Sequence, residues 1–253
     1  MPVRTPERFV ISLRPRGEHA PMRRAAARVG LGVIALSPWR LRWRDDEASR
    51  RALRTALDAP RVLFTSPVAV RAARALQPLA SRAGQRWFAV GAGTAAALHR
   101  AGIAEVEAPT RMDSEGLLAL PGLIDIDGQT IGFVTAPGGR GVLIPALQAR
   151  GANVLRADVY ERVPIAPSPQ SIAHLLALRE RATLALSSGE ALEYLLATLP
   201  PDALERLRRA RVVAASERLA DLARAHGFAE AIVARSARPA DLFAAASGTA
   251  PPA

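Results

Sequence analysis

Residues 62–76 read VLFTSPVAVRAARAL, and this stretch decides the fold class. Val62–Thr65 is a short apolar run, the pattern of a strand. Ser66 offers a helix cap, and Pro67–Leu76 then places Ala and Leu at helical spacing. The same alternation runs outward in both directions. Phe9–Ser12, Val33–Leu36, Trp87–Val90, Ile131–Thr135, Val154–Leu155, Thr183–Leu186, Val212–Ala214 and Ala231–Val233 read as strands. Thr94–Ala101, Val142–Arg150, Glu190–Leu199 and Arg218–Ala225 read as the crossover helices between them. Strands alternating with helices in this way predict an α/β protein with mostly parallel sheets flanked by helices.

Lining up strand ends and glycines exposes a half-length repeat. Phe64-Thr65-Ser66 precedes a helix, as Leu186-Ser187-Ser188 does; Thr94 stands eight residues before Gly102, as Leu219 stands eight before Gly227. Two related halves predict two similar domains. Ser37–Arg44 and Val159–Pro164 alternate large and charged residues, which suits extended connecting strands that pair as a ribbon. Residues 247–253 hold only Ser, Gly, Thr, Ala and Pro, and disorder is expected there.

The chain has 253 residues, 49% of them hydrophobic, a soluble globular composition with enough length for a sizeable core. No run approaches the roughly 18 apolar residues of a membrane span, and the start lacks a signal-peptide pattern, so a cytoplasmic protein with no membrane partner is expected. The complete absence of Cys excludes disulfides, thiolate nucleophiles and Cys-based metal sites. There is no Lys either, which excludes Schiff-base chemistry and a Walker-type phosphate loop. All 34 basic side chains are therefore Arg, and the net charge is +11. Such an excess suits an anionic partner, since guanidinium pairs bidentately with carboxylate or phosphate; arginines that solvate helix faces are the stronger account of it.

Several constellations invite chemistry. Val90-Gly91-Ala92-Gly93-Thr94 imitates a dinucleotide fingerprint, but its acidic partner would have to be Glu107 after a very short strand at Ala104–Val106. A plain glycine turn is the better reading. Pro137-Gly138-Gly139-Arg140-Gly141 is a loop whose amides could cradle an anion or simply turn the chain. Hydroxyls recur at strand ends: Thr65, Ser66, Thr94, Ser114, Thr135, Ser187, Ser188 and Ser216. Each alone reads as a helix cap, but their repetition marks the carboxyl edges where ligands bind in open α/β sheets. His19, His99, His174 and His226 have no metal-ligand spacing and are expected on surfaces; no metal site is expected. No serine sits in a nucleophile elbow. Tyr160 lies in the second connector, where a phenol could face a cleft.

Taken in order, these pieces resemble the uroporphyrinogen-III synthase family. The resemblance rests on Arg14-Pro15, Phe64-Thr65-Ser66 with Val70, Val90-Gly91 with Thr94 and Leu98, Ser114–Leu118, Gly138-Gly139-Arg140 with Leu147, Arg150, Gly151 and Val154. It continues through Val159-Tyr160 with Arg162, Ser187-Ser188, and Ser216 with Arg218, Ala220 and Gly227. It implies two α/β domains joined by a two-stranded linker, with residues 1–37 and 166–253 in one, 44–157 in the other, and 38–43 and 158–165 as linker strands. It further implies that linear hydroxymethylbilane loses its hydroxyl and cyclises to uroporphyrinogen III with inversion of ring D, without a cofactor and in a monomer.

By position, Tyr160 matches the family tyrosine proposed to help the hydroxyl leave. The resemblance implies substrate binding by Arg14, Thr65, Ser66, Gly91, Thr94, Gly139, Arg140, Ser187, Ser188 and Ser216. Leu13 and Leu219 stand where the family usually has Thr, and a leucine cannot replace a hydroxyl's hydrogen bond. The alternative is a degenerated homologue, or a two-lobed protein, that binds an anionic ligand without catalysis. A nucleic-acid partner is disfavoured because only 4% of residues are aromatic and the arginines are dispersed.

Overall fold

The computed structural model describes residues 8–111, 114–138 and 141–247. The first half of the chain runs β1 (Phe9–Ser12), α1 (Ala20–Arg28), β2 (Gly32–Ala35), β3 (Trp39–Trp43), α2 (Glu47–Leu57), β4 (Arg61–Phe64), α3 (Pro67–Leu76), β5 (Arg86–Ala89), α4 (Ala92–Arg100) and α5 (Ser114–Leu118). After a 3₁₀ turn at Pro121–Leu123 come β6 (Thr130–Thr135), α6 (Leu143–Ala149), β7 (Asn153–Asp158), β8 (Tyr160–Pro164), α7 (Pro169–Leu176) and β9 (Thr183–Leu186). The chain closes with α8 (Gly189–Thr198), α9 (Pro201–Arg208), β10 (Arg211–Ala214), α10 (Glu217–Ala225), β11 (Ala231–Val233) and α11 (Pro239–Ser247). This is an α/β protein with two parallel sheets flanked by helices and a two-stranded antiparallel ribbon. No helix among the described residues is long and apolar enough to cross a membrane.

The chain divides into two compact units, residues 1–40 with 163–253, and residues 41–162. In the second unit the sheet order is β5-β4-β6-β7, all parallel. Strand β4 is central, paired with β5 on one side and β6 on the other, so both of its faces must be apolar. Successive side chains point to opposite faces: Val62 and Phe64 join a core with Trp87 and Leu98, while Leu63 joins Phe88, Ile131 and Phe133. Phe64 stacks on Trp87 with ring centroids 5.8 Å apart. Helix α2 lies close over β6, and a Cβ at Gly132 would overlap the Ala56 carbonyl, so only glycine fits there.

In the first unit the order is β11-β10-β9-β1-β2, again parallel. Numbered within each unit, the orders are 5-4-3-1-2 and 2-1-3-4, the same doubly wound plan with one strand fewer in the second. That shared plan is the physical content of the half-length repeat. Val10, Met22, Ala26, Val213, Leu242 and Phe243 form one core of this unit.

The two connectors are β3 and β8, which pair with each other. They are less exposed than their charge alternation suggests, because Trp39 and Tyr160 turn inward and are buried. Three further expectations change. Ala104–Val106 is no strand; a single bridge joins Phe88 to Glu107. Ser247 of the expected disordered tail belongs to α11, and residues 248–253 lie outside the described residues. His19 is 3% exposed rather than on the surface.

Candidate active site

In an open parallel sheet, strands laid down in opposite directions leave a crevice beyond their carboxyl ends where the order reverses. In the second unit the reversal falls between β4 and β6. Thr65 follows β4 directly and Thr135 ends β6, and their Oγ1 atoms are 2.8 Å apart across the switch point. Ser66 follows directly and caps α3: its Oγ accepts the Ala69 N–H at 3.0 Å. The Tyr160 hydroxyl lies 3.2 Å from the same oxygen. Tyr160 reaches this point because β7 runs alongside β6 and the chain turns into β8 immediately afterwards. Its ring is held edge-on against Trp43, with centroids 6.2 Å apart and planes at 87°.

Ser66 Oγ already accepts one hydrogen bond, and a hydroxyl has one proton and two lone pairs. Ser66 can thus give its proton to the Tyr160 oxygen while accepting from Ala69. In that arrangement the phenolic proton of Tyr160 is free for a ligand. Such an array, a buried phenol steered by a fixed hydroxyl, can supply one proton to a departing group.

The other residues singled out in this unit are placed as follows. Gly91 precedes α4 with an extended backbone (φ 176°), and a Cβ on Gly93 would make only ordinary contact with Pro67, so Gly93 answers no steric demand. Glu107 is engaged by Arg86 at 2.7 Å through its Oε1. Thr94 is buried at 2% exposure within α4. Ser114 opens α5. Gly139 and Arg140 lie outside the described residues.

In the first unit the reversal falls between β1 and β9. Leu13 and Arg14 follow β1, and Ser187 and Ser188 follow β9. Ser188 caps α8 through the Ala191 N–H at 3.3 Å, and Ser187 is exposed. The Arg14 Nε is buried without a hydrogen-bond partner among the described residues. Burial pulls its pKa below the ordinary guanidinium value, opposed by the charge of Glu18. Ser216 caps α10 by position but its side chain makes no cap bond. Leu13 and Leu219 are buried core residues, so both positions serve packing.

The structure therefore brings together Thr65, Ser66 and Tyr160, with Gly91 at the end of the neighbouring strand. It gathers Arg14, Ser187 and Ser188 at the edge of the other sheet, with Ser216 one strand further on. Trp43 was absent from the residues singled out by sequence, although the alternation in Trp39-Arg40-Leu41-Arg42-Trp43 puts its aromatic residues on one face. His19 was also missed, and nothing in its local sequence signals its partners.

A family description, Uroporphyrinogen-III synthase HemD, matches residues 21–244. The uroporphyrinogen-III synthase of Salmonella typhimurium is 38% identical over 154 residues, covering 60% of this chain and 63% of that protein. The Escherichia coli enzyme is 36% identical over 153 residues, covering 60% and 62%. The alignments thus span less than two thirds of these relatives. Among solved structures, a uroporphyrinogen III synthase mutant from Thermus thermophilus superposes with a TM-score of 0.60 at 21% identity, covering 95% of this chain and 98% of that one. The uroporphyrinogen-III synthetase of Helicobacter pylori gives a TM-score of 0.63 at 14% identity, covering 95% and 99%. At those identities the superpositions speak for the fold, and the match over residues 21–244 speaks for the lineage: the chain belongs to the uroporphyrinogen-III synthase HemD family.

Proposed function

We propose that this chain is a cytoplasmic enzyme that closes linear hydroxymethylbilane to uroporphyrinogen III, with loss of water and inversion of ring D, and without a cofactor. The observation that carries the reading is the family match over residues 21–244, within which Tyr160 and Ser66 meet at the carboxyl edge of a sheet. Tyr160 donates its proton to the substrate hydroxyl, which departs as water as the pyrrole nitrogen's electron pair expels it. The substituted α-carbon of ring D bonds to the carbon so exposed to give a spiro intermediate; its original bond to the ring C methylene then breaks, and that methylene rebonds to the free α-carbon of ring D, which leaves the ring inverted. The proton lost from ring D at closure balances the one given by Tyr160. Thr65, Ser66, Gly91, Thr94, Gly139, Arg140, Arg14, Ser187, Ser188 and Ser216 are assigned to holding the substrate. Its eight carboxylates give the +11 charge a use. Holding the flexible chain with its reacting ends together supplies much of the acceleration.

The burial of Leu13 and Leu219 favours one competing reading, a homologue that binds an anionic ligand without catalysis. Incubation with freshly generated hydroxymethylbilane, followed by oxidation and separation of the porphyrin isomers, decides between them. The type III isomer is expected in excess. Type I alone, at the rate seen without protein, would overturn the enzymatic reading.

A further inference from the structure

The first unit contains a polar pocket of about 160 Å³ lined by Arg16, His19, Arg23, Ser37, Ser168 and Ser171, with Gly17 and Ala35 completing its wall. No carboxylate is among these lining residues. Arg16 and Arg23 make no ion pair among the described residues, whereas many other arginines here are matched to Glu or Asp, as Arg86 is to Glu107 and Arg181 to Glu230. Beneath the two guanidinium groups the wall is built rather than incidental. His19 is buried, with Nδ1 3.0 Å from Ser12 Oγ and Nε2 2.8 Å from Ser37 Oγ. Ser12 and Ser37 are themselves buried. On the facing side Ser168 caps α7, and its Oγ lies 2.8 Å from Ser171 Oγ.

Two cations and three hydroxyls converging on one small cavity with no acid make a receptor for an anion. We propose that this pocket binds one carboxylate or phosphate group, with Arg16 and Arg23 supplying charge and the Ser37 hydroxyl supplying a directed donor. His19 acts as a positioning residue. As a neutral ring it has one N–H and one bare nitrogen; when Nδ1 accepts the Ser12 proton, Nε2–H donates to Ser37 Oγ and leaves the Ser37 proton free to point into the pocket. Burial, with the charges of Arg23 and Arg14 behind it, lowers the His19 pKa to about 4 and keeps the ring neutral at physiological pH.

The anion has two possible sources of one chemistry, a carboxylate of the substrate proposed above or free inorganic phosphate; only the first rests on that reading. The test uses the full chain, with inorganic phosphate titrated by calorimetry into wild type, an Arg16→Ala/Arg23→Ala double variant, and a charge-matched Arg74→Ala/Arg100→Ala control. Loss of two charge-assisted contacts predicts phosphate binding weakened at least about tenfold in the pocket variant and little changed in the control. His19→Phe, which removes the ring that orients the Ser37 donor but no charge at neutral pH, should weaken binding less, and a matched far-ultraviolet spectrum guards against misfolding. Equal phosphate affinity in the pocket variant and the control, or no binding to wild type, would overturn the proposal. A second arm measures KM for hydroxymethylbilane. A raised KM with unchanged kcat in the pocket variant, together with competition by phosphate, identifies a substrate carboxylate, and an unchanged KM identifies the free anion. Phosphate binding by a wild-type protein without synthase activity would refute the proposed function and leave the pocket standing.

Discussion

The hydroxyls of Tyr160 and Ser66, 94 residues apart in the chain, meet at 3.2 Å because one strand end and one helix cap share the edge of a single sheet. Ser66 holds its own place through the Ala69 amide, so the tyrosine is positioned by an atom that is itself fixed. If the phenol is the proton donor, Tyr160→Phe should lower kcat by about 10²-fold, the low end for general acid catalysis, because water can still assist the departing hydroxyl. The remaining product should still be the type III isomer. Full activity in a folded Tyr160→Phe protein, read in the isomer assay, would remove the phenol from the chemistry.

Ser66→Ala deletes both the cap of α3 and the contact with Tyr160. Loss of a serine cap costs about 1 kcal/mol, so the urea midpoint should fall modestly while kcat falls less than in Tyr160→Phe. A Ser66→Ala protein of unchanged stability would mean that the capping bond contributes nothing.

His19 makes the stability of the fold depend on pH. Its pKa falls from 6.5 to about 4 on burial, with Arg23 and Arg14 adding to the effect. The unfolded chain therefore takes up a proton as pH drops below 6.5 that the folded chain refuses until about 4. Stability is complete above that window and declines through it, by about 3 kcal/mol in all. Urea titrations at stepped pH should show this slope, and His19→Gln should flatten it. An identical slope in the variant would assign the acid sensitivity elsewhere.

Gly132→Ala should destabilise the second unit, because the added methyl meets the Ala56 carbonyl and not a flexible side chain. Overpacking typically costs about 1–3 kcal/mol, and a backbone obstacle points to the upper end. Thermal melts of the variant and wild type check this, and a matching melting temperature would show that α2 moves aside freely.

A fragment of residues 41–162 should fold alone, since it contains apolar clusters on both faces of its own four-stranded sheet. A cooperative urea transition is the expected result. A fragment lacking dispersed amide resonances and a transition would show that the unit depends on the rest of the chain.

Much of this architecture is written in local patterns. Apolar runs such as Phe9–Ser12 and Thr183–Leu186 are strands with the same bounds in the structure, and Pro67–Leu76 is the helix that its Ala and Leu spacing describes. These succeed because a buried parallel strand needs apolar side chains on both faces and a crossover helix needs one apolar stripe, and each need shows within a few residues. Ala104–Val106 departs from that reading, and a single Phe88–Glu107 bridge takes its place.

The α/β class, the repeat and the family motifs all depend on spacing along the chain, and the residues alone reveal them. Folding in three dimensions settles which distant atoms share an edge. The Thr65–Thr135 bridge across the switch point, the Trp43 ring against Tyr160, and the burial of His19 between Ser12 and Ser37 are examples. The lone histidine reads as a surface residue because its desolvation and its two hydroxyl partners come from separate strand ends brought together by sheet pairing. Hydrogen bonds and burial depend on distance in space, and no periodicity along the chain encodes that distance.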